Sequence, residues 1–168
     1  MLARRPVSTC TVALLAALVL TACGRSVDIK QAVEMTGATS GWFDAGIVDG
    51  KNKIVPSVSF RLKKKPDANV DALALNVVFR HPPAAGTTTA EDWDEVFIQR
   101  ANFRDANETE TLTIRPNAGY TGDPPQSRQD ILKHSQFRDV RAHVFAKVSS
   151  SQWVELGTID VKRELIVR

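Results

Sequence analysis

The sequence predicts an all-β fold: an antiparallel β-sandwich, immunoglobulin-like in architecture, with one short cross-over helix. Apolar and polar residues alternate with period two in run after run, as expected of strands with one buried face. Gly, Pro, Asn and Asp clusters punctuate these runs at intervals of roughly 10–20 residues. Little helical periodicity falls between them, which argues against strands joined by crossover helices in a parallel sheet. At 168 residues, 43% hydrophobic and 24% charged, the chain has the proportions of one globular domain.

The elements follow in order. Strands are expected over 32–39 and 41–48, closed by the turn Asp49-Gly50-Lys51-Asn52. Val58, Phe60 and Leu62 then alternate with Ser57, Ser59 and Arg61, ending at Lys65-Pro66-Asp67. Leu73, Leu75, Val77 and Phe79 alternate with Ala74, Asn76 and Val78. Strands over 93–100 and 110–115 precede the turn Asn117-Ala118-Gly119. Ser127 and Asp130 stand at capping-box spacing before Ile131 and Leu132, which predicts a helix over 128–134 as the cross-over. Val140, Ala142, Val144, Ala146 and Val148 alternate with Arg141, His143, Phe145 and Lys147. Strands over 152–156 and 158–165 complete the sandwich. Trp42, Trp93 and Trp153 all fall within strands and read as core or sheet-face packing. The Cys–Trp–Cys hallmark of antibody domains is missing.

The N-terminus carries a different signal. Arg4 and Arg5 precede the apolar run TVALLAALVL at 11–20, which is too short to span about 30 Å of hydrocarbon. A basic leader, a short apolar stretch and small residues at its end make a secretory signal peptide. Leu20-Thr21-Ala22-Cys23 resembles the lipobox of bacterial lipoproteins. The resemblance implies cleavage before Cys23, a diacylglyceryl group on its sulfur, and fatty acyl chains (palmitate) that hold the protein to a membrane of the cell envelope. Two or more chains hold stably where one is marginal. Gly24 stands where such proteins carry an aspartate for inner-membrane retention, so the resemblance favours the outer membrane, facing the periplasm.

On this reading 1–22 is a lipoprotein signal peptide, 23–30 an acylated N-terminus and short tether, and 31–168 the β-sandwich domain. The seven tether residues reach at most about 25 Å, so the domain stays beside its own leaflet. Cys10 leaves with the leader and the lipid uses Cys23, so no thiol remains for a disulfide, a zinc site or a nucleophile. Removing Arg4 and Arg5 leaves 20 of the 22 basic side chains against all 19 acidic ones. The formal charge of +3 becomes +1. With no basic stripe and an exported domain, nucleic acid is excluded as a partner.

Candidate chemistry is sparse. The three histidines, His81, His134 and His143, lack metal-ligand spacing and read as surface residues, so no metal site is assigned. Glu91, Asp92, Asp94 and Glu95 surround Trp93 without the spacing of a calcium loop. Strict alternation would send Asp92 and Asp94 to one face, and Glu91, Trp93 and Glu95 to the other. Lys63-Lys64-Lys65 reads as a charged strand end that discourages edge pairing, with contact to anionic headgroups as the functional alternative. Residues 119–125, GYTGDPP, form a stiff loop bearing the chain's single tyrosine. Nothing matches a G-x-S-x-G elbow or a phosphate-binding loop.

The expected function is therefore a non-enzymatic binding or adaptor module for an envelope protein partner near the membrane. Tyr120, Asp123 and Trp93 are the candidate contacts, and the covalent lipid on Cys23 takes the place of any cofactor. The alternatives are a module binding glycan or a small molecule, marked by a tryptophan exposed on a sheet face, and an envelope hydrolase.

Overall fold

A computed structural model describes residues 28–104 and 107–166, so the expected signal peptide over 1–22, with Cys10, and the expected lipid site at Cys23 lie outside the described residues. Helix α1 (Ile29–Ala32) leads into strand β1 (Val33–Val48), which turns back as β2 (Lys51–Lys64). A second hairpin follows, β3 (Ala72–His81) and β4 (Glu91–Asn102). Two short strands, β5 (Leu112–Ile114) and β6 (Tyr120–Gly122), precede helix α2 (Arg128–Lys133). Strands β7 (Arg141–Lys147), β8 (Val154–Asp160) and β9 (Leu165–Ile166) complete the described chain. One sheet runs β5-β2-β1-β9, with β6 also on β2, and the other runs β4-β3-β7-β8. Successive hairpins alternate between sheets, and α2 carries the chain from one to the other. This is the expected antiparallel sandwich, although β9 joins β1 in parallel.

The inner faces are those the alternation marked. Val58, Phe60, Leu62, Leu75, Val77, Phe79, Ala142, Val144 and Ala146 are all fully buried. Each large side chain among them contributes about 1.5–3 kcal/mol by leaving water. Arg141, His143, Phe145 and Lys147 line the opposite face of β7. The β1–β2 turn places Asp49 and Gly50 at φ of 52° and 77°, the left-handed pair of a type I′ hairpin. In α2, Ser127 and Asp130 cap each other reciprocally.

Several expectations are corrected. The strands at 32–39 and 41–48 are one, bent by irregularities between Thr36 and Thr39 and between Asp44 and Gly46. Residues 152–156 and 158–165 are likewise redistributed: β8 spans Val154–Asp160, and Leu165–Ile166 crosses to the other sheet. Position 120–122, read as loop, is strand β6. Residues 28–30, expected to lie outside the domain, are already part of the fold, because Asp28 caps α1 and Ile29 is buried in the core. Lys63 and Lys64 are not at an edge: β2 is flanked by β1 on one side, and on the other the Lys63 main chain pairs with that of Glu108 while the Lys64 amide donates to the Asn107 carbonyl.

The break between β5 and β6 has a local cause. Both pair with β2, at Val58–Phe60 and Asn52–Ile54, and Pro56 lies between these stretches with no N–H to donate. The chain leaves the sheet there and returns at Gly119, where a Cβ would stand 2.3 Å from the Ile54 carbonyl oxygen. Gly119→Ala should therefore destabilise the fold by about 1–3 kcal/mol in denaturant titrations, whereas Gly86→Ala, where a Cβ meets open space and only the left-handed backbone at φ 86° opposes it, should cost about 1 kcal/mol or less.

Topology assigns each feature to one of two ends. At one end lie α1, the 65–71 connection and the 148–153 turn between β7 and β8. At the other lie the β1–β2 turn, β6, the 123–127 loop, α2 and the 82–90 connection. β1, with 16 residues, spans roughly 50 Å between them.

Candidate functional site

The end away from α1 gathers most of the residues the sequence singled out. Pairing with β2 fixes Tyr120 opposite Ile54, so its ring faces the opening between the sheets. There it meets Phe137 at 4.7 Å, Trp93 at 5.3 Å and Trp42 at 5.6 Å between centroids. Its hydroxyl accepts from the Arg138 amide at 3.1 Å and donates to the Arg138 carbonyl at 3.4 Å. Trp42 is fully buried and meets Phe137 edge-on at 4.8 Å. Pairs of this kind contribute about 0.5–1.5 kcal/mol beyond their buried area. Tyr120 and Trp93 are half-buried parts of a plug that closes the sandwich end.

The acidic stretch around Trp93 is arranged differently from its alternation. Asp94 pairs with Phe79 and Asp92 with Arg80, so Trp93 is the extra residue of a β-bulge. The bulge separates Asp92 from Asp94. Asp92 forms an ion pair with Arg80, whereas Asp94 stays on the side of Phe79 and accepts from the Ala118 amide at 2.7 Å. Glu91 and Glu95 separate too: Glu95 accepts from Asn76 on the outer face, while Glu91 lies beside His81 at the plug. Trp93 turns inward onto His81, with centroids 4.9 Å apart.

His81 is buried, against the surface placement expected of it, because it extends the inward series Val77, Phe79. Its Nδ1 donates to the Asp139 carbonyl at 3.0 Å. The nearby Glu91 carboxyl is held below its usual range, first by its 2.7 Å bond to Arg138, then by that cation's charge. His134 is exposed at the end of α2, and His143 pairs with Glu155 on the outer face at 2.7 Å. The histidines therefore do not converge. Among the described residues no group of three His, Cys, Asp or Glu side chains could hold a metal ion.

Beyond the plug, the apex exposes two apolar side chains among polar ones. Ile47 is 68% exposed and Val48 38%, immediately before the Asp49-Gly50 turn. Asp123, also exposed, reaches across to Lys51 at 3.4 Å and ties the 123–127 loop to the hairpin. Such a surface pair is worth under about 1 kcal/mol, so the junction is adjustable. Sequence reasoning passed over Ile47 and Val48. Their signal was two β-branched apolar residues against a type I′ turn, where the hairpin outruns the facing sheet.

A second exposed apolar pair lies on the outer face of the second sheet, with Trp153 towards the α1 end and Phe97 in the middle of β4. Phe97 (58% exposed) meets Trp153 (39%) at 6.1 Å and 82°, across the outer face of β4-β3-β7-β8. The Lys147 ammonium sits 4.7 Å over the Trp153 ring. No helix among the described residues is long and apolar enough to cross a membrane. No protein-family model, curated protein or solved structure matches this chain.

Proposed function

We propose that the chain is a cell-envelope lipoprotein, anchored through Cys23, whose sandwich is a non-enzymatic recognition module for a protein partner. The contact surface is the apex: Ile47 and Val48 on the β1–β2 hairpin, with Asp123 and Lys51 beside them. Tyr120 and Trp93 support that surface from beneath. The carrying observation is the exposed Ile47–Val48 pair on a stiff hairpin, at the end farthest from the N-terminal attachment. Apolar anchors on a rigid protrusion lose little entropy on docking and gain by leaving water. Hydrolysis finds no support in the plug, since His81 gives Nδ1 to a carbonyl and Glu91 is tied to Arg138.

The exposed Trp153 is the observation that favours the glycan alternative, but its surroundings weaken it. Lys147 covers one face of the ring and Phe97 meets it nearly at right angles, an arrangement unlike the open flat surface on which a sugar stacks.

The test is a double variant, Ile47→Asp with Val48→Ser, followed by in-cell crosslinking and mass spectrometry. Loss of one hot-spot contact corresponds to about tenfold in affinity, so the principal protein adduct should fall by that order. Thermal stability should stay within about 0.5 kcal/mol, because both side chains face solvent. Undiminished adducts would remove the apex from consideration.

A further inference from the structure

Resting on the lipoprotein reading, we infer that the end of the sandwich bearing α1 seats directly on an anionic membrane surface, with Trp153 at the headgroup–acyl boundary and Lys30, Lys63, Lys65 and Lys147 on the phosphates. This contact is distinct from the lipid on Cys23 and sets the orientation of the domain.

Chain length carries the first step. Asp28 caps α1 five residues after Cys23, so an extended chain separates the acylated residue from the domain by at most about 18 Å. α1 packs on β8 and β1, whose near ends it joins. Trp153 directly precedes β8, and Lys147 ends β7 at that same end. Lys30 lies on α1 itself, and Lys63 and Lys65 end β2 alongside it. Whatever leaflet holds Cys23 is therefore within reach of this end and far from the apex.

The side chains found there suit that surface. Tryptophan prefers the membrane–water boundary, where an apolar ring and a polar edge are both satisfied. Lysine stems can lie along apolar surface while their ammonium groups reach phosphate oxygens. Among the described residues, none of Lys30, Lys63, Lys65 and Lys147 is in an ion pair. Seven arginines, by contrast, are held by carboxylates: Arg61, Arg80, Arg104, Arg128, Arg138, Arg141 and Arg163. A cleft of about 380 Å³ opens between the lysine-bearing ends of α1 and β2, floored by Ala32, Val33 and Pro66. Asp28, Glu34, Asp67 and Asp71 share this end and match these four lysines in number, so the attraction comes from the lysine rim at contact distance and not from a long-range field. The edge-protection reading of Lys63-Lys64-Lys65 fails because β2 is interior, which leaves headgroup contact as the role that fits Lys63 and Lys65.

The full chain, purified from membranes, is reconstituted into vesicles of phosphatidylcholine alone or with phosphatidylglycerol, each containing brominated lipid. Trp42 is buried and Trp93 is half-buried at the far end, away from the bilayer in this orientation, so bromine quenching reports on Trp153. Quenching should be stronger with phosphatidylglycerol and vanish in Trp153→Phe. Each Lys→Glu change at 63, 65 or 147 should weaken the seated state by at least roughly fivefold. Equal, weak quenching in both vesicle types, with the chain still anchored, overturns the inference and leaves the lipoprotein reading standing. Intact mass separates the two claims. A chain without acyl groups on Cys23 refutes the lipoprotein reading, and flotation of that same chain with the phosphatidylglycerol vesicles then decides whether the surface binds by itself.

Discussion

Trp42→Ala is expected to lower stability by about 3–5 kcal/mol, the largest effect of any single side chain in the plug. Trp42 is fully buried and meets Trp93, Tyr120 and Phe137 at once. Its main-chain neighbours are Pro56 on β2 and Leu165 on β9, so its removal loosens three strands together. For a domain of this size the melting temperature should drop by about 6–20 °C. Near-UV circular dichroism from the aromatic plug should largely disappear, because Tyr120 and Trp93 lose the ring that orders them. Trp153→Ala is the control. It removes a tryptophan from the surface and should cost no more than about 1 kcal/mol. Equal melting temperatures for the two variants would show that the plug does not hold the sandwich end.

The second large effect concerns the leader. Cys23→Ser removes the only sulfur that the lipobox resemblance places at the cleavage site. Incorporation of labelled palmitate should fall to background. The intact mass should show residues 1–22 retained in place of an acylated N-terminus. Because the substitution lies before the described domain, a purified Cys23→Ser chain should melt at the temperature of the parent. Continued palmitate labelling in the variant would contradict the assignment of the lipid to this residue.

How legible the molecule was depended on the range of the forces involved. The inward faces of β2, β3 and β7 could be read because alternation is fixed by the pleat, whatever the neighbouring strand. Helix α2 was readable for a similar reason, since the Ser127–Asp130 capping box closes within three residues. The apex turn was readable from Asp49-Gly50, whose left-handed backbone few other pairs accept.

What escaped the sequence depends on contacts between distant residues. The β4 bulge arises in the pairing with β3, and it moved Trp93 and Asp94 relative to every alternation-based expectation. β6 has three residues and exists only through its register with Asn52–Ile54. β9 is shorter still, with two residues held against Trp42 and Phe43. Tyr120 stands out in the sequence as the single tyrosine on a Gly/Pro-rich segment, but its placement in the plug depends on β6 lying over the sandwich end. Ile47, Val48 and Phe97 were invisible as surface residues, because exposure of an apolar side chain depends on where the facing sheet stops.

Together the two proposals give the domain one orientation, with the apex outward to a protein and the α1 end down on the lipid. A photo-crosslinking side chain placed at position 47 or at position 153, followed by irradiation of intact cells and identification of the adducts, tests this orientation. Position 47 should yield a discrete protein adduct, and position 153 should yield phospholipid. Lipid adducts at 47 with protein adducts at 153 would invert the molecule on its membrane and contradict the claim.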